Sequence, residues 1–171
     1  MSDPAISRDP SDWWNVLPAA RMLDCAQFLI VNWHHRREDL AAEHLSCLLW
    51  HAQALNFIWL GIPLFTEDFL AWNEDAPVLP DLFSSIPRFM MCPDALPGAS
   101  TDRLSRQQRD SLLATARALQ DFDLNDLLSC IKKSEPWQEA ADAVRHGGLG
   151  PIVIQKSSIR SYYRGRFAEW I

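Results

Sequence analysis

His44, Cys47 and His51 are the residues whose types and spacing come nearest to doing chemistry. Their i, i+3, i+7 offsets put two imidazoles and a thiol on one face of a helix, as a transition-metal site requires. A closed site needs a fourth ligand, and neither an H-E-x-x-H run nor a paired C-x-x-C supplies one. The set also lies on the most apolar stretch of the chain, so it reads as core residues, with a metal enzyme as the alternative. No metal and no cofactor are expected. Nucleophilic catalysis has no G-x-S-x-G elbow and no Cys–His pair marked by local context. The run His146-Gly147-Gly148-Leu149-Gly150-Pro151 reads as a turn, because a phosphate cradle needs Gly-Lys-Ser/Thr opening a helix. Most Asp and Glu residues fall in loops and helix starts, where bonding to backbone N–H groups accounts for them. Enzyme activity is not expected.

These side chains sit on or beside residues 45–66, LSCLLWHAQALNFIWLGIPLFT, which contain no Asp, Glu, Lys or Arg. A helix apolar on most faces is either a central core helix or a membrane span. Gly61 and Pro63 stop it, and Ser46, His51, Gln53 and Asn56 interrupt its apolar character, so a buried central helix is expected and no membrane contact. With 171 residues, 48% of them hydrophobic, the chain has the length and content for one domain with a real core. A formal net charge of −6 argues against a general phosphate-backbone binder, so nucleic acid is not an expected partner. Cys25, Cys47, Cys92 and Cys130 are scattered and no secretory signal precedes them, which predicts a reduced, cytoplasmic protein with free or buried thiols.

The elements around the central helix follow from their punctuation. Residues 1–17 read as a loose lead that Trp13 and Trp14 could pin to the body, and residues 18–171 as a single helical domain. Ala19, Met22, Leu23, Ala26, Leu29, Ile30 and Trp33 form an apolar stripe for a first helix opening at Pro18 and ending near His34-His35-Arg36-Arg37. The central helix then starts around Asp39. Leu64-Phe65 and the run from Phe69 to Trp72 read as two short extended pieces turning at Thr66-Glu67-Asp68. A short helix capped by Asp81 follows, then a long irregular loop to Arg103. Ser105 with Gln108 makes a capping box for the next helix, Asp123 starts another ending at Lys132-Lys133, and Ser134 caps a third. Ile152 to Ile154 read as extended, before a last helix from Ser157 to about Ile171 that carries Lys156, Arg160, Arg164 and Arg166 at or near it. The tail is basic where the middle is acidic, so the two are expected to meet.

That acidic middle holds Glu67, Asp68, Glu74, Asp75 and Asp81 with no basic residue among them, a pattern of either a solvated rim or an interaction surface. Of the eight tryptophans, Trp33, Trp50 and Trp59 are expected in the core, while Trp72 and the Trp13-Trp14 pair are the candidates for partner contact.

The pieces LSCLLWHAQ (45–53), GIPLF (61–65), AWNEDAPVLP (71–80) and SEPW (134–137), followed by Ile154, Ile159, Tyr162 and Tyr163, in that order resemble the Panacea domain, the SocA-like or GepA-like domain of bacterial and phage antitoxins. Leu45, Leu48, Leu49, Ala52 and Gln53 match its Leu-Gln-Lys-Leu-Leu-Tyr-Tyr-Ala-Gln helix. Gly61, Pro63, Leu64 and Phe65 match its Gly-x-Pro-Leu-Phe, and Ala71, Trp72, Pro77, Val78 and Pro80 its Ala-Trp-x-x-Gly-Pro-Val-x-Pro. Ser134-Glu135-Pro136-Trp137 resembles a Glu-x-Pro-Trp segment, and Ile154, Ile159, Tyr162 and Tyr163 the closing helix. The sequence departs from the pattern at Cys47, where the family has Lys, at Trp50-His51 in place of Tyr-Tyr, and at Ala76 in place of Gly after one extra residue. The resemblance implies a small helical antitoxin of a type II toxin–antitoxin system, which binds and neutralises a protein toxin encoded nearby. It also allows an adaptor that delivers its toxin to a Clp-type protease, or a phage-borne inhibitor engaging host machinery.

The expected fold is therefore mainly α, a compact helical bundle around a central buried helix with a short hairpin insertion. The expected partner-binding residues are Trp72, Glu74, Asp75, Pro77, Val78, Pro80 and Asp81, which combine a large aromatic, fixed-φ prolines and charge of one sign.

Overall fold

The computed structural model describes residues 19–33, 40–87, 90, 92–147 and 150–168. The lead with Trp13 and Trp14, Pro18, the His34-to-Arg37 run, Asp39, Gly148, Leu149 and the last three residues lie outside the described residues. Seven α-helices and a three-stranded antiparallel sheet make up the described fold: α1 Met22–Asn32, α2 Ala42–Leu60, β1 Phe69–Ala71, β2 Pro77–Val78, α3 Pro80–Ser85, α4 Arg106–Leu119, α5 Leu124–Lys132, α6 Glu135–Arg145, β3 Ile152–Ile154 and α7 Lys156–Ala168. The mainly helical fold with a hairpin insertion is as the sequence predicts. No helix among the described residues is long and apolar enough to cross a membrane.

The helix that holds the uncharged stretch, α2, is central: α4, α5 and α7 all pack on it. Leu45, Cys47, Leu48, Leu49, Trp50, Ala52 and Phe57 are fully buried. Burial of such side chains is worth about 1.5–3 kcal/mol each for the large aliphatic and aromatic ones, so this helix anchors the core. Gly61 ends it at φ 72, a left-handed cap conformation in which its N–H bonds the Phe57 carbonyl at 2.9 Å. Three of the polar interruptions of α2, Ser46, Gln53 and Asn56, each hold another segment. Ser46 Oγ donates to the Pro77 carbonyl at 2.7 Å, and Asn56 Nδ2 to the Ile62 carbonyl at 2.8 Å. Gln53 Oε1 accepts from the Leu64 N–H at 2.6 Å while its Nε2 donates to the Phe65 carbonyl at 3.2 Å. The helix is apolar enough to be central and polar at the places where irregular backbone must be satisfied.

The first helix begins at Met22, later than Pro18. Ala20 is extended instead: it pairs in a parallel bridge with Phe65, and its N–H donates to the Leu64 carbonyl at 2.9 Å. No side chain of the N-cap, Arg21, caps α1; the Glu67 carboxylate accepts from the Met22 N–H at 3.1 Å, a cap supplied from a distant loop. The extended pair also differs from expectation. Phe65 is engaged by Ala20 and Gln53, so β1 pairs with β2 in the register Leu70↔Val78 and Ala71↔Pro77, and Trp72 to Ala76 form the turn. Pro77 sits in an edge strand, where its missing N–H costs no ladder bond. On the other side β1 pairs with β3, giving the order β2-β1-β3.

Local signals hold elsewhere. Ser105 and Gln108 form the reciprocal capping box of α4, and Asp123 with Asp126 that of α5. Two caps differ. Leu79 is the N-cap of α3 and Pro80 its first residue, so Asp81 lies inside the first turn. Ser134 is the N-cap of α6, but its hydroxyl donates back to the Ile131 carbonyl at 2.6 Å. The long loop before α4 is fastened to α1: Asp24, 1% exposed, accepts from the Ser100 N–H at 2.8 Å and pairs with Arg103 at 3.1 Å. One helical turn on, Gln27 bonds the Asp94 carbonyl and the Leu96 N–H.

Candidate functional site

Strand β1 alternates as its pleat requires: Phe69 and Ala71 face the core, and Trp72, the next residue, stands 58% exposed at the head of the hairpin turn. Two contacts fix that turn. The Asp75 N–H donates to Asn73 Oδ1 at 2.9 Å, closing an Asx turn. The Glu74 carboxylate accepts from Arg145 Nε at 2.7 Å, and the same guanidinium reaches Asp142 at 3.0 Å, so the turn is tied to the C-terminal end of α6. Glu74's hydrogen bond and charge, with Asp142 adding to them, hold the Arg145 guanidinium above its ordinary pKa. Beside the tie lies an open groove of about 470 Å³ lined by Glu74, Lys132, Trp137, Gln138 and Arg145 among others.

The predicted contact residues divide. Trp72, Glu74, Asp75, Pro80 and Asp81 are exposed, Val78 is half-buried, and Pro77 is buried with its carbonyl bonded to Ser46. Pro77 therefore positions the hairpin and presents no side-chain surface. The five acidic residues of this region divide as well. Glu67 caps α1, Asp68 pairs with Lys156, and Glu74 pairs with Arg145. Among the described residues no ion pair uses Asp75 or Asp81. The acidic middle and the basic tail do meet, at Asp68 and Lys156.

The His44, Cys47 and His51 set is not drawn into a common site, and among the described residues no group of three or more His, Cys, Asp or Glu is placed to hold a metal ion. His44 is buried with its ring edge-on to Trp33, centroids 5.5 Å apart. Burial, with Glu43 adding to it, pushes the Cys47 thiol up to about 12, which keeps it protonated and poor as a ligand. Burial lowers His51 to about 4, the Leu127 backbone opposing the shift, and its Nε2 has no hydrogen-bond partner. Of the remaining cysteines Cys25 is buried, with its pKa raised chiefly by desolvation, while Cys92 is half-buried and Cys130 exposed.

Trp33 and Trp50 are in the core as expected, but Trp59 is 52% exposed and Leu60 beside it 39%. The signal lay in their position: they are the last two residues of α2 before its Gly61 stop. The Arg145 tie to Glu74 had no local signal, since seventy-one residues separate the two.

Fold and surface together define a mainly helical protein with a small antiparallel sheet and an exposed aromatic turn edged by carboxylates. Set against protein-family models, curated proteins and solved structures, the chain matches none of them.

Proposed function

We propose that this protein is a Panacea-type antitoxin of a type II toxin–antitoxin system, acting in the cytoplasm by direct, stoichiometric binding of a protein toxin encoded nearby. The observation that carries the reading is Trp72, a large aromatic held out to solvent on a turn fixed by Asn73 and by the Glu74–Arg145 pair. An indole so held gives up little conformational freedom on binding, and Trp is among the residues that dominate interface energetics. Asp75 and Asp81, exposed and in no ion pair among the described residues, add charge of one sign on the same stretch of chain, and the ordered matches to the Panacea motifs supply the class of partner.

The test is co-expression with the product of the adjacent reading frame. The neighbour is expected to be toxic alone, harmless beside this protein, and to co-purify with it. Should Trp72→Ala and Asp81→Lys leave both complex formation and growth rescue unchanged, the contact surface is misassigned. A neighbour without toxicity, together with capture of a Clp-type protease or other host machinery, would replace the antitoxin reading with an adaptor or phage-borne inhibitor.

A further inference from the structure

At the C-terminal end of α2 two arginines of α7 converge on one residue. Arg160 Nε donates to the Gly61 carbonyl at 2.9 Å. The Arg164 guanidinium covers the same glycine so closely that a Cβ there would lie 2.1 Å from its terminal nitrogen, with Arg160's at 3.6 Å. Gly61 is thus both the left-handed cap and the point on which the two guanidinium groups converge.

Part of this clustering is explained by the helix, whose C-terminal carbonyls favour cations. Arg160 meets that need through its bond to Gly61. Arg164 is exposed, and among the described residues the ion pairs use Arg103, Arg145 and Lys156, never Arg160 or Arg164. Two like charges converging on one glycine, with no carboxylate of a described residue paired to either, repel each other at rest. Trp59 and Leu60, directly before Gly61, are the only consecutive pair among the large exposed hydrophobic residues described. An exposed Trp and an Arg in no described ion pair, together at one helix end, are two of the three residue types enriched at interface hot spots.

We infer that Trp59, Leu60, Arg160 and Arg164 form a second interaction surface, whose partner is an acidic peptide segment bearing an apolar side chain. Carboxylates of that segment take the remaining guanidinium N–H donors, and its apolar residue covers Trp59 and Leu60. Charge selects this occupant. The chain carries a formal −6, so an extended phosphate backbone would meet repulsion beyond this small basic face, whereas a short acidic segment need touch nothing else. The surface shares no residue with the Trp72 turn, and the inference does not rest on the antitoxin reading.

The test uses the full chain and a fluorescein-labelled peptide of sequence Glu-Leu-Asp-Phe-Asp-Glu, followed by fluorescence anisotropy. The comparison probes are the peptide Lys-Leu-Lys-Phe-Lys-Lys and a single-stranded oligothymidine. The acidic peptide is expected to bind with an affinity that falls as salt rises, and at least about tenfold more tightly than either comparison probe. Arg164→Glu and Trp59→Ala, both at exposed positions, are each expected to weaken binding by about tenfold or more. Arg117→Glu, an exposed charge reversal on α4, is expected to leave it unchanged, and circular dichroism checks that all variants fold. The inference is overturned if the acidic peptide does not bind, if the basic peptide binds as well, or if Arg117→Glu weakens binding as much as Arg164→Glu. Preferential binding of oligothymidine would make the surface a nucleic-acid site, and self-association abolished by Arg164→Glu would make it a contact between copies; either result overturns the peptide assignment.

Discussion

Trp50 Nε1 donates to the Tyr163 hydroxyl at 2.8 Å, joining the middle of the central helix to the closing helix across 113 residues of chain. Trp50 is fully buried, so its N–H has no water to turn to if the hydroxyl is lost. Burial pushes the Tyr163 phenol up to about 12, the bond from Trp50 partly opposing the shift, so it stays neutral at ordinary pH. Tyr163→Phe removes one oxygen and leaves the ring. The expected outcome is a loss of about 1–2 kcal/mol in urea denaturation, the cost of one stranded buried donor. A loss within error would mean that the indole finds another acceptor and that the bond does not fasten the two helices.

Gln53 satisfies backbone groups of the segment that follows its own helix. Its Oε1 takes the Leu64 N–H at 2.6 Å and lies 3.4 Å from the Phe65 nitrogen, and its Nε2 serves the Phe65 carbonyl at 3.2 Å. Gln53→Leu keeps the volume and strands these groups in the core. Each buried unpaired group costs about 1–3 kcal/mol, so a loss of about 2–4 kcal/mol is expected, with faster hydrogen exchange at the Leu64 amide. Gln138→Leu removes only an exposed bond to the Lys132 carbonyl and is the control expected to cost little.

These two residues also show where the sequence could be read and where it could not. The central helix was legible because the absence of charge from Leu45 onward and the Gly61 stop are local facts. The capping box of Ser105 and Gln108 and the start at Asp123 were legible for the same reason. The strand partner of β1 was not: choosing Val78 over Phe65 depends on Gln53 and Ala20 having already claimed Phe65. Nor could the sequence show that Glu67 caps α1 or that Arg145 fastens the hairpin turn, because both contacts join segments far apart in the chain. Trp72 was read as a contact candidate because it stands beside an acidic, proline-bounded stretch, although the turn was expected before it and lies after it. Trp59 was misread because its apolar helix continues to the end while the packing around it does not.

His51 predicts an acid-side instability. Its folded pKa, about 4, lies below the ordinary 6.5 because burial disfavours the imidazolium. Between those values the unfolded chain binds a proton that the folded chain does not, so stability is fully present above pH 6.5 and falls as pH drops towards 4. The group's share of the loss between about pH 7 and pH 5 is about 2 kcal/mol. His51→Phe removes the titration and should flatten the difference, measured as denaturation midpoints of the two proteins across that range. Parallel pH profiles for wild type and His51→Phe would show that the imidazole is protonated in the fold or hydrated there.

The acidic stretch gives the most direct test of function, because its carboxylates are already sorted by what they hold. Glu67 and Asp68 are committed to other parts of the chain, to the Met22 N–H and to Lys156, so their loss should lower stability, Asp68 only slightly because its pair is exposed, and affect partner binding only through it. Glu74 holds the turn through Arg145, so Glu74→Gln should loosen the presentation of Trp72 while leaving the surface chemistry nearly intact. Asp75 is exposed and has no ion pair among the described residues, so Asp75→Lys should leave thermal stability unchanged and weaken complex formation with the proposed toxin. Trp72→Ala should weaken it further, by about 2 kcal/mol or more, which is roughly thirtyfold in Kd. The order expected from isothermal titration against the neighbour's product is Trp72→Ala weakest, then Asp75→Lys, then Glu74→Gln, with each melting curve recorded alongside. If Asp68→Asn weakens binding more than Asp75→Lys at equal stability, the contact lies on the Lys156 side of the sheet and the Trp72 turn is a structural bend.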